Sequence, residues 1–421
     1  MGPVGENMKV HTSLVRVFSF LLLALTAVGC SQTKTSETVF PKVSSQCEDS
    51  SIQGRYVVRW ASGRVTLHKG GDRSEVLKNF VEKNLDRLEL VEPDYRLVLP
   101  KSAGDLPRTA VNSVDNWGAV RINADVAWAQ GSRGGGITVA VIDSGMDIEH
   151  SQLRNQLAVN SNEVAGNGLD DDHNGFVDDV SGFDFTTDSP AVHDSNSHGT
   201  HVSGIIAAEH QDNKAGVRSY VQGIAPEAKI LPLTFIDSSG SGSLYDAMRA
   251  IDYATARGVR VINASWGGAG CSTIMRDQIG ALYSKKIVFV AAAGNSGLNI
   301  DYSPEYPAAF NLLSQITVGA TGDFDSRAQF SNYGDEAVHI FAPGVDIVST
   351  LPNQMMGAMS GTSMATPMVV GAVAVLLGAK PQATMEELRR ALYVSAHFDS
   401  TYRNVSRGRI DLGAALSKLL E

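Results

Sequence analysis

The chain has 421 residues, of which 43% are apolar, and its formal net charge at pH 7 is -10. The length predicts roughly two to three domains, and the apolar fraction is sufficient for a large buried core. The acidic balance, with no stripe of clustered Lys and Arg, argues against nucleic acid as the main partner, because phosphate binding depends on such clusters.

Residues 1–29 have the pattern of an export signal. The apolar run 17–25 is short for a membrane span and ends in small residues before Cys30, and Met8 is a second candidate start. Cys30 after Val-Gly resembles the lipobox of bacterial lipoproteins, which implies a lipidated cysteine, although Ala27 stands where Leu is usual. An ordinary secretory signal is the alternative. Either interpretation predicts an exported protein, in the cell envelope or secreted.

The next part of the chain divides into a tether, a small domain and a linker. Residues 30–52 are rich in Ser, Thr, Gln and Lys, which predicts a flexible segment. The sequence of residues 53–100 predicts a small α+β domain, in which Pro93 separates the last two strands. Its predicted elements are strands at 55–60, 88–91 and 96–99 and a helix at 74–85. Residues 101–113 are polar and broken by Gly and Pro, so we expect an exposed linker.

From residue 114 to 421, short apolar strands alternate with helices. Nearly continuous apolar runs predict strands that are buried on both faces, and the alternation predicts a mainly parallel sheet with helices on both sides. The strands are expected at 137–142, 230–235, 261–264, 287–292 and 316–318, and the helices at 202–209, 243–257 and 274–284. The predicted fold class is therefore α/β.

In such a sheet, functional groups collect at the carboxyl ends of the strands. Asp143 directly follows the first strand of this region, Asn295 follows another strand, and His198 opens a helix. Ser363 lies in the turn 361–367, ahead of an apolar run with helical length. These four residues are the candidates for chemistry.

A serine at a helix start most often only caps that helix, and Ser363 taken alone fits this interpretation. A nucleophilic hydroxyl needs a base; histidine suits that task, and a carboxylate can orient its ring. His198 and Asp143 supply these two groups. Asn295 and the backbone N–H of Ser363 would hold the oxyanion that attack on a carbonyl creates.

Four sequence blocks carry these residues: Asp-Ser-Gly at 143–145, His-Gly-Thr-His-Val at 198–202, Gly-Asn at 294–295 and Gly-Thr-Ser-Met-Ala-Thr-Pro at 361–367. Together they resemble the signature blocks of the subtilisin-like serine proteases, and the resemblance runs from about residue 117 to 416. It implies a catalytic triad of Asp143, His198 and Ser363, with Asn295 in the oxyanion hole. It also implies a monomeric endopeptidase that acts on proteins or peptides and needs no cofactor for catalysis.

The same resemblance implies two edges that bind an extended substrate as an added strand. One edge comprises Ser239, Gly240, Ser241 and Gly242, and the other comprises Ser265, Trp266 and Gly267, with Gly294 also near the substrate. The alternative is that both segments are only Gly-rich turns.

Glu305 precedes Tyr306-Pro307, which resembles a family position with a cis peptide bond. The residue before it lines the bottom of the primary specificity pocket in the family. A carboxylate there would favour Lys or Arg before the scissile bond through a charge-assisted contact. The alternative is that Glu305 points to solvent.

An acidic loop indicates a calcium site. Oxygen-bearing side chains at alternate positions, a glycine for the turn and acids shortly afterwards suit a hard cation. The candidate ligands are Asp170, Asp172, Asn174, Asp178 and Asp179. A merely solvated acidic loop is the alternative. Gln152 stands where many members of the family have a calcium-ligating Asp, which argues against a second calcium site. We interpret His201 as a structural residue.

The domain at 53–100 resembles the family's N-terminal propeptide, which assists folding and inhibits the enzyme until it is cleaved off. Cleavage is then expected in the linker 101–113, and a lipid on Cys30 would anchor the propeptide while maturation frees the catalytic domain. Cys47 and Cys271 could pair, but the sequence leaves their proximity open.

The resulting hypothesis is an exported serine endopeptidase, tethered by lipid or secreted and self-processed from a proenzyme. A catalytically silent, surface-anchored binding protein on the same fold is the main alternative. Esterase or transferase chemistry from the same acyl-enzyme is a third.

Overall fold

The computed structural model describes residues 34–42, 47, 49–100, 117–210, 220–398, 402 and 407–421. The predicted signal at 1–29, the lipidation candidate Cys30 and the linker at 101–113 lie outside the described residues. An N-terminal domain ends in the strand Leu88–Val98, and a larger α/β domain begins at Trp117.

Part of the range 30–52, for which the sequence predicts a flexible tether, is a packed helix in the structure. Helix α1 (Ser36–Val39) begins with a capping box, and Val39 and Phe40 are both 1% exposed. They pack in one hydrophobic cluster with the N-terminal domain. Composition does not predict this, because two apolar side chains are enough to anchor an otherwise polar segment.

The N-terminal domain is an antiparallel sheet with one helical segment packed on it. Strand β1 (Ser51–Trp60) pairs with β2 (Val65–Lys69) and with β3 (Leu88–Val98). Between β2 and β3, helix α2 (Arg73–Val76) continues as a π turn and ends in a 3₁₀ turn, in place of the single helix predicted at 74–85.

Pro93 lies inside β3 and does not divide it, contrary to the two strands predicted from the sequence. It faces Tyr56, where the pairing of β1 with β3 changes register. Residues 52–55 of β1 stand opposite a single residue of β3, and this bulge contains Gly54 with a φ of 71°. A bulge interrupts the ladder of hydrogen bonds, so the missing N–H of proline is tolerated there.

The larger domain is built on a seven-stranded parallel sheet, which confirms the predicted fold class. The strands of this domain in chain order are β4 (Thr138–Asp143), β5 (Phe183–Asp184), β6 (Lys229–Thr234), β7 (Ser241–Ser243), β8 (Val261–Ala264), β9 (Val288–Ala292), β10 (Gln315–Thr321), β11 (Ile340–Pro343), β12 (Ile347–Leu351) and β13 (Met355–Met359). The sheet order is β11-β10-β9-β8-β4-β6-β5, and β12 and β13 form an antiparallel hairpin.

Helices cover both faces of this sheet. They are α3 (Trp117–Arg121), α4 (Ala124–Ala129), α5 (His198–Ala207), α6 (Leu244–Ala256), α7 (Thr273–Ala281), α8 (Thr362–Ala379), α9 (Met385–Val394) and α10 (Leu412–Leu420). Val139 and Val141 of β4 belong to the hydrophobic cluster that contains α5 and α8. Ala140 and Ile142 belong to the cluster that contains α6 and α7, so alternate residues of one buried strand serve two cores.

Among the helices of the described residues, α8 alone is long and apolar enough to cross a membrane. However, 89% of its residues are buried inside the domain, where they pack against the sheet.

Strand β3 also crosses into the larger domain. It pairs with β7 through Arg96–Ser243, Leu97–Gly242 and Val98–Ser241, so the sheet order is β2-β1-β3-β7. A disulfide bond joins Cys47 to Cys271, whose Cα atoms lie 5.8 Å apart. The two domains are therefore connected by a shared sheet and by a covalent bond.

Candidate active site

Three elements carry the predicted triad residues at their ends. Asp143 ends β4, His198 is the first residue of α5, and Ser363 is the second residue of α8, which packs against α5. His198 Nδ1 lies 2.8 Å from Asp143 Oδ1, which also accepts from the backbone N–H of Ser144. Asp143 is 0% exposed, Ser363 2% and His198 8%. Burial of the imidazole–carboxylate pair strengthens its electrostatic coupling.

The helix start that carries Ser363 is tied to a neighbouring segment. Helix α8 begins at Thr362 and contains Pro367, whose missing N–H leaves the carbonyl of Ser363 without its intrahelical donor. The hydroxyl of Ser265 donates to that carbonyl at 3.1 Å, and the hydroxyl of Ser363 donates to the carbonyl of Ser265 at 3.2 Å. As the second helical residue, Ser363 also has a backbone N–H that no intrahelical carbonyl can satisfy.

Asn295 is oriented by Thr362. Its side-chain oxygen accepts from the backbone N–H of Thr362 at 2.9 Å and from its hydroxyl at 2.8 Å. A Cβ added at Gly361 would lie 3.0 Å from Asn295 Nδ2 and 3.6 Å from the backbone nitrogen of Ser363. The two candidate oxyanion donors are therefore neighbours, and any side chain at position 361 would crowd both.

The sequence alone does not identify Asp194 as part of this site. Its carboxylate accepts five hydrogen bonds, from Ser144 Oγ, Asn196 N, Ser197 N, Thr200 N and Thr200 Oγ1. Burial raises the pKa of Asp194, against the opposing effect of these hydrogen bonds. Asp194 thus joins the end of β4 to the start of α5, the elements that carry Asp143 and His198. In the sequence, Asp194 is marked only by its position as an acidic residue four positions before α5.

We expect Asp194→Asn to lower kcat by about tenfold with little change in KM, because a misplaced His198 weakens proton transfer more than substrate binding. An amide nitrogen cannot accept from Thr200, so the start of α5 loses part of its anchor. Steady-state kinetics on a peptide substrate measures the effect. Asp188→Asn changes an exposed acid nearby and should leave both constants unaltered. Equal kcat in the two variants would refute the positioning role.

His201 and Gln152 lie near the site and serve the fold. His201 Nε2 is 3.0 Å from the carbonyl oxygen of Gly357, and burial lowers the pKa of His201 to about 3. It therefore stays neutral at neutral pH. The side-chain amide of Gln152 donates to the carbonyls of Glu209 and Val221 at 2.9 and 2.8 Å, so this position is used for hydrogen bonding.

An extended segment of the chain itself lies in the groove between the two predicted substrate-binding edges. On one side β3 pairs with β7, and the N–H of Leu99 donates to the carbonyl of Gly240 at 3.0 Å. On the other side, Val98 and Gly267 exchange both backbone hydrogen bonds, at 2.9 and 3.0 Å. Main-chain groups of both edges therefore hold this strand, as they would hold an extended peptide.

The side chains of these two edges contribute less than their backbones to holding the strand in the groove. The indole of Trp266 is fully buried and donates to the carbonyl of Ile142 at 2.7 Å. The hydroxyl of Ser239 donates to Asp237 within its own turn. A Cβ at Gly242 would lie 2.2 Å from the carbonyl oxygen of Phe235, so only glycine allows this close approach.

The side chain of Glu305 points toward residues 294–296. The next residue, Tyr306, exchanges both backbone hydrogen bonds with Gly268, and the peptide bond that follows Tyr306 is cis. The carboxylate of Glu305 accepts from the hydroxyl of Ser296 at 2.8 Å, and a Cβ at Gly294 would lie 2.3 Å from its Oε2. The half-buried carboxylate therefore sits against the wall formed by residues 294–296.

Three carboxylates converge at the acidic loop. Oxygens of Glu163, Asp172 and Asp179 all lie within 4.8 Å of one another. Two ligands at about 2.4 Å from one calcium ion are at most about 4.8 Å apart, so this spacing fits a shared cation. Glu163 is 7% exposed, and its Oε2 has no hydrogen-bond partner among the described residues. Asp179 accepts from Asn174 Nδ2 at 2.9 Å and lies 3.6 Å from the guanidinium of Arg257. The three carboxylates carry three negative charges and Arg257 carries one positive charge. The remaining net charge of two negative units would be balanced by a divalent cation.

The carboxylates of this cluster overlap only in part with the ligand set predicted from the sequence. Asp172 and Asp179 belong to this cluster, but Asp170 and Asp178 do not. The carboxylate of Asp170 accepts from the backbone N–H groups at 174 and 175, and that of Asp178 from those at 167 and 168. These two acids shape turns of the loop. Glu163 enters the cluster from outside the motif, and no spacing rule in the sequence predicts it.

The candidate residues Asp143, His198, Asn295 and Ser363 lie on one α/β scaffold with a groove that holds an extended strand, which is the arrangement of a serine endopeptidase. Comparison with known proteins defines it more closely. Residues 134–411 match the subtilase family, and the chain belongs to that family.

Three relatives show the extent of the similarity. Subtilisin DY of Bacillus licheniformis is 36% identical over 302 residues, covering 71% of this chain and 97% of that protein. Subtilisin E of Bacillus subtilis (strain 168) is 36% identical over 305 residues, covering 71% and 70%. Minor extracellular protease Epr of the same organism is 30% identical over 393 residues, covering 91% and 54%. The last match is longer than the catalytic domain and includes part of the N-terminal domain.

Proposed function

We propose that this subtilase cleaves protein chains through an acyl-enzyme on Ser363. His198 takes the proton of the Ser363 hydroxyl as its oxygen attacks the peptide carbonyl, and Asp143 holds the ring in the required tautomer and stabilises the imidazolium. Asn295 and the backbone N–H of Ser363 receive the oxyanion. His198 then protonates the leaving amine, and water releases the acyl group by the same path in reverse.

The observation that carries this proposal is the 2.8 Å contact between His198 Nδ1 and the buried Asp143 Oδ1, because it decides which ring nitrogen acts as the base. A fluorophosphonate should label Ser363, and the labelled protein should no longer hydrolyse casein. A silent binding protein on this fold would bind peptide without labelling. That alternative is not favoured, since all four groups of the site are present.

We further propose that the N-terminal domain is an inhibitory propeptide of an exported proenzyme, cut in the linker 101–113. Its strand β3 fills the groove that a substrate needs. Glu92 accepts from the hydroxyl of Ser272 and the N–H of Thr273, both at 2.8 Å, and Asp94 accepts from the N–H of Tyr245 at 3.0 Å. Two acids of this domain therefore cap the starts of α7 and α6. The signal pattern at 1–29 and a lipid on Cys30 would supply export and anchoring.

For substrate preference, we propose that the carboxylate of Glu305 selects Lys or Arg before the scissile bond. Glu305→Gln should lower kcat/KM for such peptides by about 10- to 100-fold and leave Phe or Leu peptides nearly unchanged, because only the basic side chain loses a charged partner. A peptide panel that varies this one residue measures the effect.

The matched control is Ser296→Ala, which removes the hydroxyl bound to Glu305 but keeps the charge. It should retain the preference for basic residues. If wild type cleaves Phe or Leu peptides faster than Lys or Arg peptides, Glu305 does not select the substrate.

We propose that Glu163, Asp172 and Asp179 hold a structural calcium ion, supported by the buried, unpartnered oxygen of Glu163. In the Ser363→Ala background, which prevents autolysis, calcium at 100 times its Kd should raise the Tm of chelator-treated protein by about 5 °C or more. Glu163→Gln should abolish most of this rise. Glu336→Gln makes the same change at an exposed site and should not. An unchanged Tm of the parent at millimolar calcium would reject the site.

A further inference from the structure

We infer that the Cys47–Cys271 disulfide keeps the N-terminal domain covalently attached after the linker is cut, so that the processed enzyme is a two-chain protein that retains its inhibitor. The inhibitory part of this inference rests on the proposed function. The two cysteines are 224 residues apart in sequence, and the linker lies between them. A cut anywhere between Pro100 and Trp117 therefore leaves the disulfide intact.

The disulfide lies within the contact between the two domains. Cys271 directly precedes Ser272, the residue that caps α7 and donates to Glu92 of β3. Arg59 of β1 forms an ion pair with Asp277 of the same helix, at 2.7 Å. The N-terminal domain thus holds the segment 271–277, which includes the start of α7, by a covalent bond, a capping carboxylate and an ion pair. Cys47 is 2% exposed and Cys271 is half-buried, so reductants in solution have limited access to the bond.

The strand that fills the groove is also a poor substrate in its observed register. Val98 pairs with Gly267 in antiparallel fashion, so Pro100 falls opposite Ser265, the residue whose carbonyl accepts from the Ser363 hydroxyl. Proline has no N–H to donate to that carbonyl. At the peptide bond that follows Pro100, the chain therefore lacks the hydrogen bond to Ser265 that any other residue at position 100 could make. A cut farther along the linker leaves β3 in the groove.

A tethered inhibitor is present at an effective concentration that dilution cannot lower. A reversibly bound propeptide would leave on dilution, whereas this one rebinds. The retained disulfide also reverses an expectation from the sequence, because cutting the linker no longer frees the catalytic domain from a lipid on Cys30.

Covalent retention can be tested apart from self-processing. The full chain with Ser363→Ala receives the recognition sequence of a site-specific protease in place of residues 104–109 and is then cut. Denaturing electrophoresis should show one band without reductant and two bands with dithiothreitol. Two bands without reductant would overturn the inference.

Cysteine variants provide the controls. Cys47→Ser should give two bands without reductant, whereas Cys30→Ser removes the third cysteine and should behave like the parent. If Cys47→Ser does not fold, mass spectrometry of the alkylated parent decides. A linked peptide that contains both Cys47 and Cys271 supports the inference, and two alkylated cysteines refute it.

The functional arm uses the cut protein with Ser363 intact. After hundredfold dilution, the parent should react slowly with a fluorophosphonate, and Cys47→Ser should lose its N-terminal fragment and react at least about tenfold faster. Fast labelling of a parent whose two chains remain linked would contradict the inhibitory function and not the linkage. Loss of the fragment from the parent without reductant would contradict the linkage itself.

Discussion

Ser363→Ala should lower kcat for peptide hydrolysis by about 10⁴- to 10⁶-fold, the range known for removal of triad residues in subtilisin. Without the hydroxyl no acyl-enzyme can form, and only the oxyanion donors and substrate binding remain. The variant should fold normally, because the carbonyl of residue 363 still accepts from Ser265 and α8 remains buried. It should also accumulate as the uncut proenzyme.

The measurement is the rate of peptide hydrolysis together with the intact mass of the purified protein. Ser284→Ala removes an exposed hydroxyl and should match wild type in both. If Ser363→Ala retained more than about 1% of the activity, the attacking group would have to be another residue.

Asn295→Leu should lower kcat by about 10²- to 10³-fold with little effect on KM, again the size known for this donor in subtilisin. The amide of Asn295 contributes only when charge develops on the carbonyl oxygen, so the ground-state complex loses little. Its position is set by two hydrogen bonds from Thr362, at 2.9 and 2.8 Å.

The variant Asn295→Asp distinguishes the role of the Asn295 amide as a donor from the role of its oxygen in binding Thr362. This variant keeps an oxygen for Thr362 but replaces the amide donor with a negative charge, so kcat should fall at least as far as in Asn295→Leu. Recovery of activity in Asn295→Asp would show that Asn295 acts by holding Thr362 and not by binding the oxyanion. Steady-state kinetics at constant pH distinguishes these outcomes.

Strands and helices with long apolar or periodic runs are predictable from the sequence because their signal is local. The strand predicted at 261–264 has these same bounds in the structure, and the other predicted strands of the α/β domain are all present. The two-residue strand β5 is too short for such a pattern, and β11 is not among the predicted strands because its short apolar run ends in Pro343, a residue that is unusual inside a sheet. The start of α8 at Thr362 lies ahead of the apolar run because Ser265 satisfies the carbonyl that Pro367 leaves open.

The residues of the candidate site also differ in whether the sequence alone predicts them. Asp143, His198, Asn295 and Ser363 stand in compact blocks whose pattern is visible along the chain. Asp194 has no such block, and its role depends on hydrogen bonds that reach from β4 to α5. The direction of the Glu305 side chain, toward Ser296, is likewise a property of packing.

The sequence by itself determined the α/β class and the order Asp, His and Ser of the site, because periodicity and short motifs are carried by neighbouring residues. Only the tertiary structure decided that Glu163 joins Asp172 and Asp179, and that Cys47 lies beside Cys271. A cation requires oxygens within a few ångströms of one point, and a disulfide requires Cα atoms less than about 7 Å apart. Such distances between remote parts of a chain follow from how the sheets and helices pack, and local sequence does not contain them.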